Sequence, residues 1–195
     1  MIRPRGGDFI YTEDELAIME RDIRSLVSAG ADGIVFGCLT SSGDVDVAAV
    51  KRLIDAARKG GMLIDMTFHR AIDMTRDIVE GVRVVKELGF RRILTSGGES
   101  TAVRGSTTIK KIVKEFGDDL IVMPGGGISV SNLEEILATT GAKEFHASAR
   151  AKKESLMQFR NESCSMGSNS EEFTILVTSE EKVRQLVDIH NSQTK

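Results

Sequence analysis

Leu120-Ile121-Val122-Met123-Pro124-Gly125-Gly126-Gly127-Ile128, followed by Ser131, Leu133, Glu134, Ile136, Leu137 and Gly141-Ala142-Lys143, decides the fold. The apolar run at 120–123 is short and continuous, the signature of a strand buried on both faces of a parallel sheet. Pro124 and three glycines end it. Ser131 and Glu134 then read as a capping box, the hydroxyl accepting a free backbone N–H while the carboxylate reaches back. Leu133, Ile136 and Leu137 fall on one helical face, and Gly141 supplies the left-handed turn that closes the helix. A further apolar run begins at Glu144-Phe145-His146-Ala147, so the stretch is one βα unit leading into the next strand.

The same unit repeats in both directions along the chain. Ile34-Val35-Phe36 to Leu39, Met62-Leu63-Ile64 to Phe68, and Ile93-Leu94 are equivalent apolar runs. Thr12 and Glu15 form another capping box, ahead of Leu16, Met19, Ile23, Leu26 and Val27 and the stop at Gly30. Val82, Val85 and Leu88 precede Gly89, and Ile109, Ile112 and Phe116 precede Gly117. Gly30-Ala31-Asp32, Gly89-Phe90-Arg91 and Gly141-Ala142-Lys143 each turn a helix end into the next strand. Strand beginnings near residues 2, 33, 63, 91, 119 and 143 predict six βα units about thirty residues apart. This rhythm fits a TIM-like (β/α) barrel and an open doubly wound sheet equally well. Residues 151–172, with Lys152-Lys153-Glu154, Asn161-Glu162-Ser163 and Ser168-Asn169-Ser170, read as a polar loop. Phe173–Val177 reads as a short extra strand. Ser179 caps a final helix that packs Val183, Leu186 and Val187.

Composition narrows the function classes. At 195 residues the chain has the length of one domain, 1–195, and its 41% hydrophobic and 28% charged content is that of a globular protein. A net charge of −3 gives no electrostatic case for nucleic acid or an anionic membrane as partner. Two distant cysteines, Cys38 and Cys164, fit a reducing compartment, and the N-terminus lacks a signal-peptide core, so a cytoplasmic location is expected.

In either fold the site lies at the C-terminal ends of the strands. There the sequence offers Arg3, Arg5 and Asp8, then Thr67, His69, Arg70 and Asp73, then Thr95 and Ser96, then Gly125-Gly126-Gly127, and lastly His146, Ser148 and Arg150. The glycines allow close backbone approach and an anion-binding nest, with a helix N-terminus expected at Ser131; the competing reading is a plain strand-to-helix turn. His69 and His146 are candidates for an acid–base pair, with Arg70 beside them, or are strand-end histidines with satisfied hydrogen bonds. Arg3, Arg5, Ser96, Gly125, Gly126, Gly127 and Ser148 are candidate substrate or anion ligands, arginine clamping carboxylate or phosphate through its planar fork. The alternative is an ion pair of Arg70 with Asp73, and of Arg3 and Arg5 with Asp8. Among soft donors, Cys38 is a weak metal candidate, and Met66 and Met123 lie within strands.

Met1–Phe9, Thr67-Phe68-His69-Arg70-Ala71-Ile72-Asp73, Leu94-Thr95-Ser96-Gly97, Met123–Ile128, Glu144-Phe145-His146 and Phe159-Arg160-Asn161 together resemble the CutC copper homeostasis family, in order and spacing, over nearly the whole chain. The resemblance implies a TIM-like barrel of sequential parallel strands with helices outside, a cytosolic location, and copper as cofactor. Set against the resemblance, this chain is expected to lack the family's first two βα units, with the cysteines suited to copper, and to start on what corresponds to the third strand. An incomplete barrel would leave two unpaired edges, so a homo-oligomer is expected. Two functions follow: copper homeostasis with copper binding, or an enzyme acting on a small anionic or phosphorylated substrate at the barrel mouth.

Overall fold

Why the central units form is visible in their hydrogen bonds. In the computed structural model, which describes residues 1–58, 64–161, 163–164 and 172–193, Thr12 caps α1 (Glu13–Ser28). The Thr12 hydroxyl accepts from Glu15 N–H at 3.3 Å, and Glu15 accepts from Thr12 N–H at 2.8 Å, completing the expected box. Leu16, Met19 and Ile23 are buried, whereas Leu26 lies largely in solvent. β1 (Gly33–Phe36), β2 (Asp65–Phe68), β3 (Arg92–Thr95) and β4 (Ile121–Pro124) form one parallel sheet in sequence order. Its register runs from Gly33 against Asp65 and Phe36 against Phe68 to Arg92 against Ile121 and Thr95 against Pro124. Between these strands lie α2 (Val47–Ala57), α3 (Ile78–Glu87) and α4 (Ser106–Phe116), and α5 (Leu133–Thr140) follows β4. Their apolar faces meet the sheet through Leu53, Val82, Val85, Ile109, Ile112, Leu133 and Ile136, all buried. This is an α/β fold, as expected.

Of the six strands predicted, four form the parallel sheet. The segment at residue 2 touches β1 through one bond, Ile2 N–H to Val35 O at 2.8 Å, and Pro4 has no N–H to extend it. The segment at 143–148 makes a single parallel bridge, with His146 N–H donating to Pro124 O at 2.9 Å. Side chains hold it instead: Glu144 accepts two bonds from Arg92, and Phe145 lies 5.6 Å from His190. Both segments flank the sheet in the expected places without forming ladders.

The C-terminal part differs more. Arg150–Glu154 forms β5, antiparallel to β6 (Thr174–Thr178), so the first residues of the region read as a polar loop are a strand. β6 is the extra strand expected there. Met62, Leu63, Glu162 and Ser168-Asn169-Ser170, which also entered the expectations, lie outside the described residues. Ser179 caps α6 (Glu180–Gln193), its hydroxyl accepting from Lys182 N–H, but only Leu186 of the three predicted contact residues is buried. The box at Ser131 does not form either. α5 begins at Leu133 behind Asn132, and Ser131 bonds the Ser129 hydroxyl at 3.0 Å.

Candidate functional site

Asp73 organises the face at the strand ends. It lies in a 3-10 helix, Arg70–Met74, that continues directly from β2, which carries its carboxylate across to the end of β3. That carboxylate is almost wholly buried and accepts from Thr95 Oγ1 at 2.5 Å, Ser96 N–H at 2.9 Å, Ser96 Oγ at 3.0 Å and Gly98 N–H at 3.1 Å. Its last partner is Arg70, whose Nε donates at 2.8 Å. A carboxylate with this many donors is held without freedom, and it holds the guanidinium in turn.

Arg70 is thereby aimed. One amino group, Nη2, donates to Ser96 Oγ at 2.7 Å. The other, Nη1, faces Gly126 and has no protein acceptor among the described residues. Gly126 and Gly127 both have positive φ, +98° and +75°, the left-handed region that glycine enters without strain. A Cβ at Gly126 would lie 3.3 Å from that amino group, so glycine keeps the space in front of Arg70 open. Arg70, Ser96 and Gly126 are therefore brought together. Not all of the donors expected in the glycine loop are available. Gly125 spends its N–H on Thr95 O at 2.8 Å, and the helix N-terminus begins at Leu133 rather than Ser131.

His69 terminates β2 and is buried. Its Nδ1 accepts from Ala71 N–H at 3.3 Å, which places the imidazole proton on Nε2, and Nε2 has no partner among the described residues. Phe9 lies 4.9 Å away and Phe68 6.2 Å, ring to ring, and Gly37 gives close passage: a Cβ there would stand 2.8 Å from Nδ1. Burial, reinforced by the positive charge of Arg3, pushes the imidazole pKa down to about 4. His69 is thus a neutral donor at physiological pH. His146 is exposed beside Gly125, along β4, while His69 sits against the residue following β1.

Other predicted residues are occupied elsewhere. Arg5 bonds Glu15 at 2.5 Å and Asp8 at 3.0 Å and lies over the Tyr11 ring, so its fork closes the N-terminal turn. The guanidinium holds the Glu15 carboxyl below its ordinary range. Arg3 lies over Phe9 and donates to Gly7 O at 2.9 Å. Ser148 lines a separate cavity beside α6. The sequence placed Asp73 among the strand-end groups and as an ion-pair partner of Arg70, but not as the acceptor that gathers Thr95, Ser96 and Gly98.

The thiols do not suit copper. Cys38 is 1% exposed, and burial, helped by the charge of Asp46, pushes its thiol up to about 12, so a metal would have to displace a tightly held proton. Cys164 is exposed, and among the described residues no three His, Cys, Asp or Glu side chains gather as a metal site. No described helix is long and apolar enough to cross a membrane.

Comparison with known proteins places these residues in a family. The model of the CutC family matches residues 1–151. The chain is similar to the copper homeostasis protein cutC homolog of Homo sapiens, at 44% identity over 188 residues, covering 95% of this chain and 67% of the relative. It is similar also to a family protein CutC of Parabacteroides distasonis, at 46% over 189 residues, covering 96% and 76%. A crystal structure described as a copper homeostasis protein CutC from Streptococcus agalactiae superposes with a TM-score of 0.69 at 35% identity, over 74% of this chain and 69% of that one. A native KDPGal structure matches 97% of this chain and 69% of its own with a TM-score of 0.52 at 12% identity, a likeness of fold alone. On the strength of the family model and these relatives, the chain belongs to the CutC family.

Proposed function

We propose that the protein takes part in copper homeostasis, the role carried in the names of its human and mouse relatives, and that its strand-end face binds a small anionic compound. Family membership supports the first part. One observation carries the second: the Nη1 of Arg70, without an acceptor among the described residues, in a guanidinium held by Asp73 and facing the open backbone of Gly126. A fixed guanidinium beside backbone N–H groups suits a carboxylate or phosphate, and among the described residues no three His, Cys, Asp or Glu side chains gather to hold a metal. The second reading is enzymatic. The buried, unpartnered Nε2–H of His69 favours it, since a neutral imidazole can polarise an oxygen of a bound compound, with the exposed His146 as proton carrier.

The sheet is read as an arc of a TIM-like barrel, supported by sequential parallel strands and by the single-bond flanks at both edges. The cytoplasm is the proposed compartment, supported by two free cysteines. A homo-oligomer is the proposed assembly, supported by the apolar side chains of Leu156, Phe159, Ile175 and Leu176 left in solvent around the β5–β6 ribbon. The test is a thermal-shift series with copper(I) and a panel of small dicarboxylates. Dicarboxylates should raise the melting temperature of the wild type and not of Arg70→Gln. Stabilisation by copper(I) alone would overturn the anion reading.

A further inference from the structure

A second cavity, of about 410 Å³, lies between the loop after β4, the segment entering β5, and α6. Its size is that of a site for a small molecule. Ser131 contributes one wall; Ser148, Ala149 and Arg150 form another; Lys182 and the buried Leu186 of α6 close it. Both charged residues in this lining are cations and no described carboxylate lines it, although the chain carries a net charge of −3.

Several donors there are unspent, although the Ser131 hydroxyl is engaged with that of Ser129. The Arg150 guanidinium has no ion pair or hydrogen bond among the described residues, and neither does the Ser148 hydroxyl. Lys182 uses one of its three N–H groups on Arg150 O, at 2.7 Å, which ties α6 to the opposite wall and leaves two. The backbone is shaped to match. Ala149 is the one non-glycine described residue with positive φ, +47°, and strain of that kind concentrates at ligand clamps. Its carbonyl accepts from Ser179 N–H at 2.9 Å, the bond that anchors the start of α6.

We infer that this cavity binds a small phosphate monoester, its phosphoryl group on Arg150, Lys182 and the Ser148 hydroxyl and its organic part against Leu186. Dianionic oxygens satisfy several donors at once, and arginine engages two of them together. The inference is independent of the strand-end reading, because none of Arg70, Asp73, Ser96 and Gly126 lines this cavity.

The experiment is calorimetric titration of the full chain with inorganic phosphate at fixed ionic strength, alongside Arg150→Gln and Arg70→Gln. Arg150 is exposed, so its variant should fold, and melting curves check this. Saturable binding weakened about ten- to a hundredfold by Arg150→Gln, the worth of hydrogen bonds to a charged group, and unchanged by Arg70→Gln upholds the inference. Two sets of sites, each removed by one variant, uphold it together with the strand-end reading. Loss with Arg70→Gln alone, or with either single variant, overturns it while leaving an anion site at Arg70. Absence of saturable binding overturns it as well.

Discussion

Lowering the pH should destabilise this protein through one residue, His69, before general acid unfolding begins. Its imidazole is buried against Phe9 and Phe68 with a pKa of about 4, against the ordinary 6.5 it regains when the chain unfolds. Between those two values the unfolded chain binds the proton and the native one does not, so stability falls as the pH falls through that window. Above 6.5 neither state is protonated and the residue contributes nothing to the pH dependence. At about 1.4 kcal/mol per tenfold, the full cost is about 3 kcal/mol, and about 2.5 kcal/mol is reached at pH 4.5. That is a large share of a domain's usual stability of about 5–15 kcal/mol. The comparison is urea unfolding of wild type and His69→Phe from pH 7.5 to 4.5. The variant keeps a ring in the pocket but leaves Ala71 N–H without its acceptor, so the absolute difference is ambiguous and its pH dependence is the quantity to read. The wild type should lose about 2.5 kcal/mol relative to the variant over that range. A difference that stays constant with pH would refute the argument, because it would mean that the imidazole titrates as it does in water.

Asp73→Ala should cost about 3 kcal/mol or more in chemical denaturation, since Thr95 Oγ1, Ser96 N–H and Gly98 N–H lose their acceptor beneath Arg70; a cost near zero would mean that water replaces the carboxylate. Of the two thiols, Cys164 should react with an alkylating reagent in the native protein at neutral pH, and Cys38 only on unfolding; mass spectrometry of the labelled protein distinguishes them. Light scattering coupled to chromatography should show association through exposed apolar surface and lightly paired sheet edges, and a sharp monomer peak with a cooperative high-temperature melt would contradict it.

The four central strands were legible because each is a continuous apolar run between amphipathic helices, a pattern set by local burial. The outer two were not, since whether an apolar segment becomes a strand depends on a neighbour with which to share a ladder. Pro4 shows a limit of the periodic pattern: the run at residue 2 is apolar enough, but its hydrogen bonding ends there. The capping box at Ser131 failed for a related reason. Ser131 and Glu134 have the right spacing, but the Asn132 side chain accepts from Ser129 N–H and sets the turn one residue later. Among site residues, Arg70, Ser96 and Gly126 could be read from their positions after strands. Arg5 could not, because its capture by Glu15 depends on where α1 begins relative to the first turn. Lys182 gave no local signal at all, since its place in a cavity wall follows from the docking of α6.

The claim that this member of the CutC family meets its ligand through an anion-binding face, and not through a thiolate copper site of its own, is tested most directly by equilibrium competition for copper(I) against a chelator. The prediction is that the chain takes no stoichiometric copper(I) from the chelator at neutral pH, and that Cys38→Ser behaves as wild type, because the Cys38 thiol is buried and protonated. A one-to-one complex that disappears in Cys38→Ser would contradict the account.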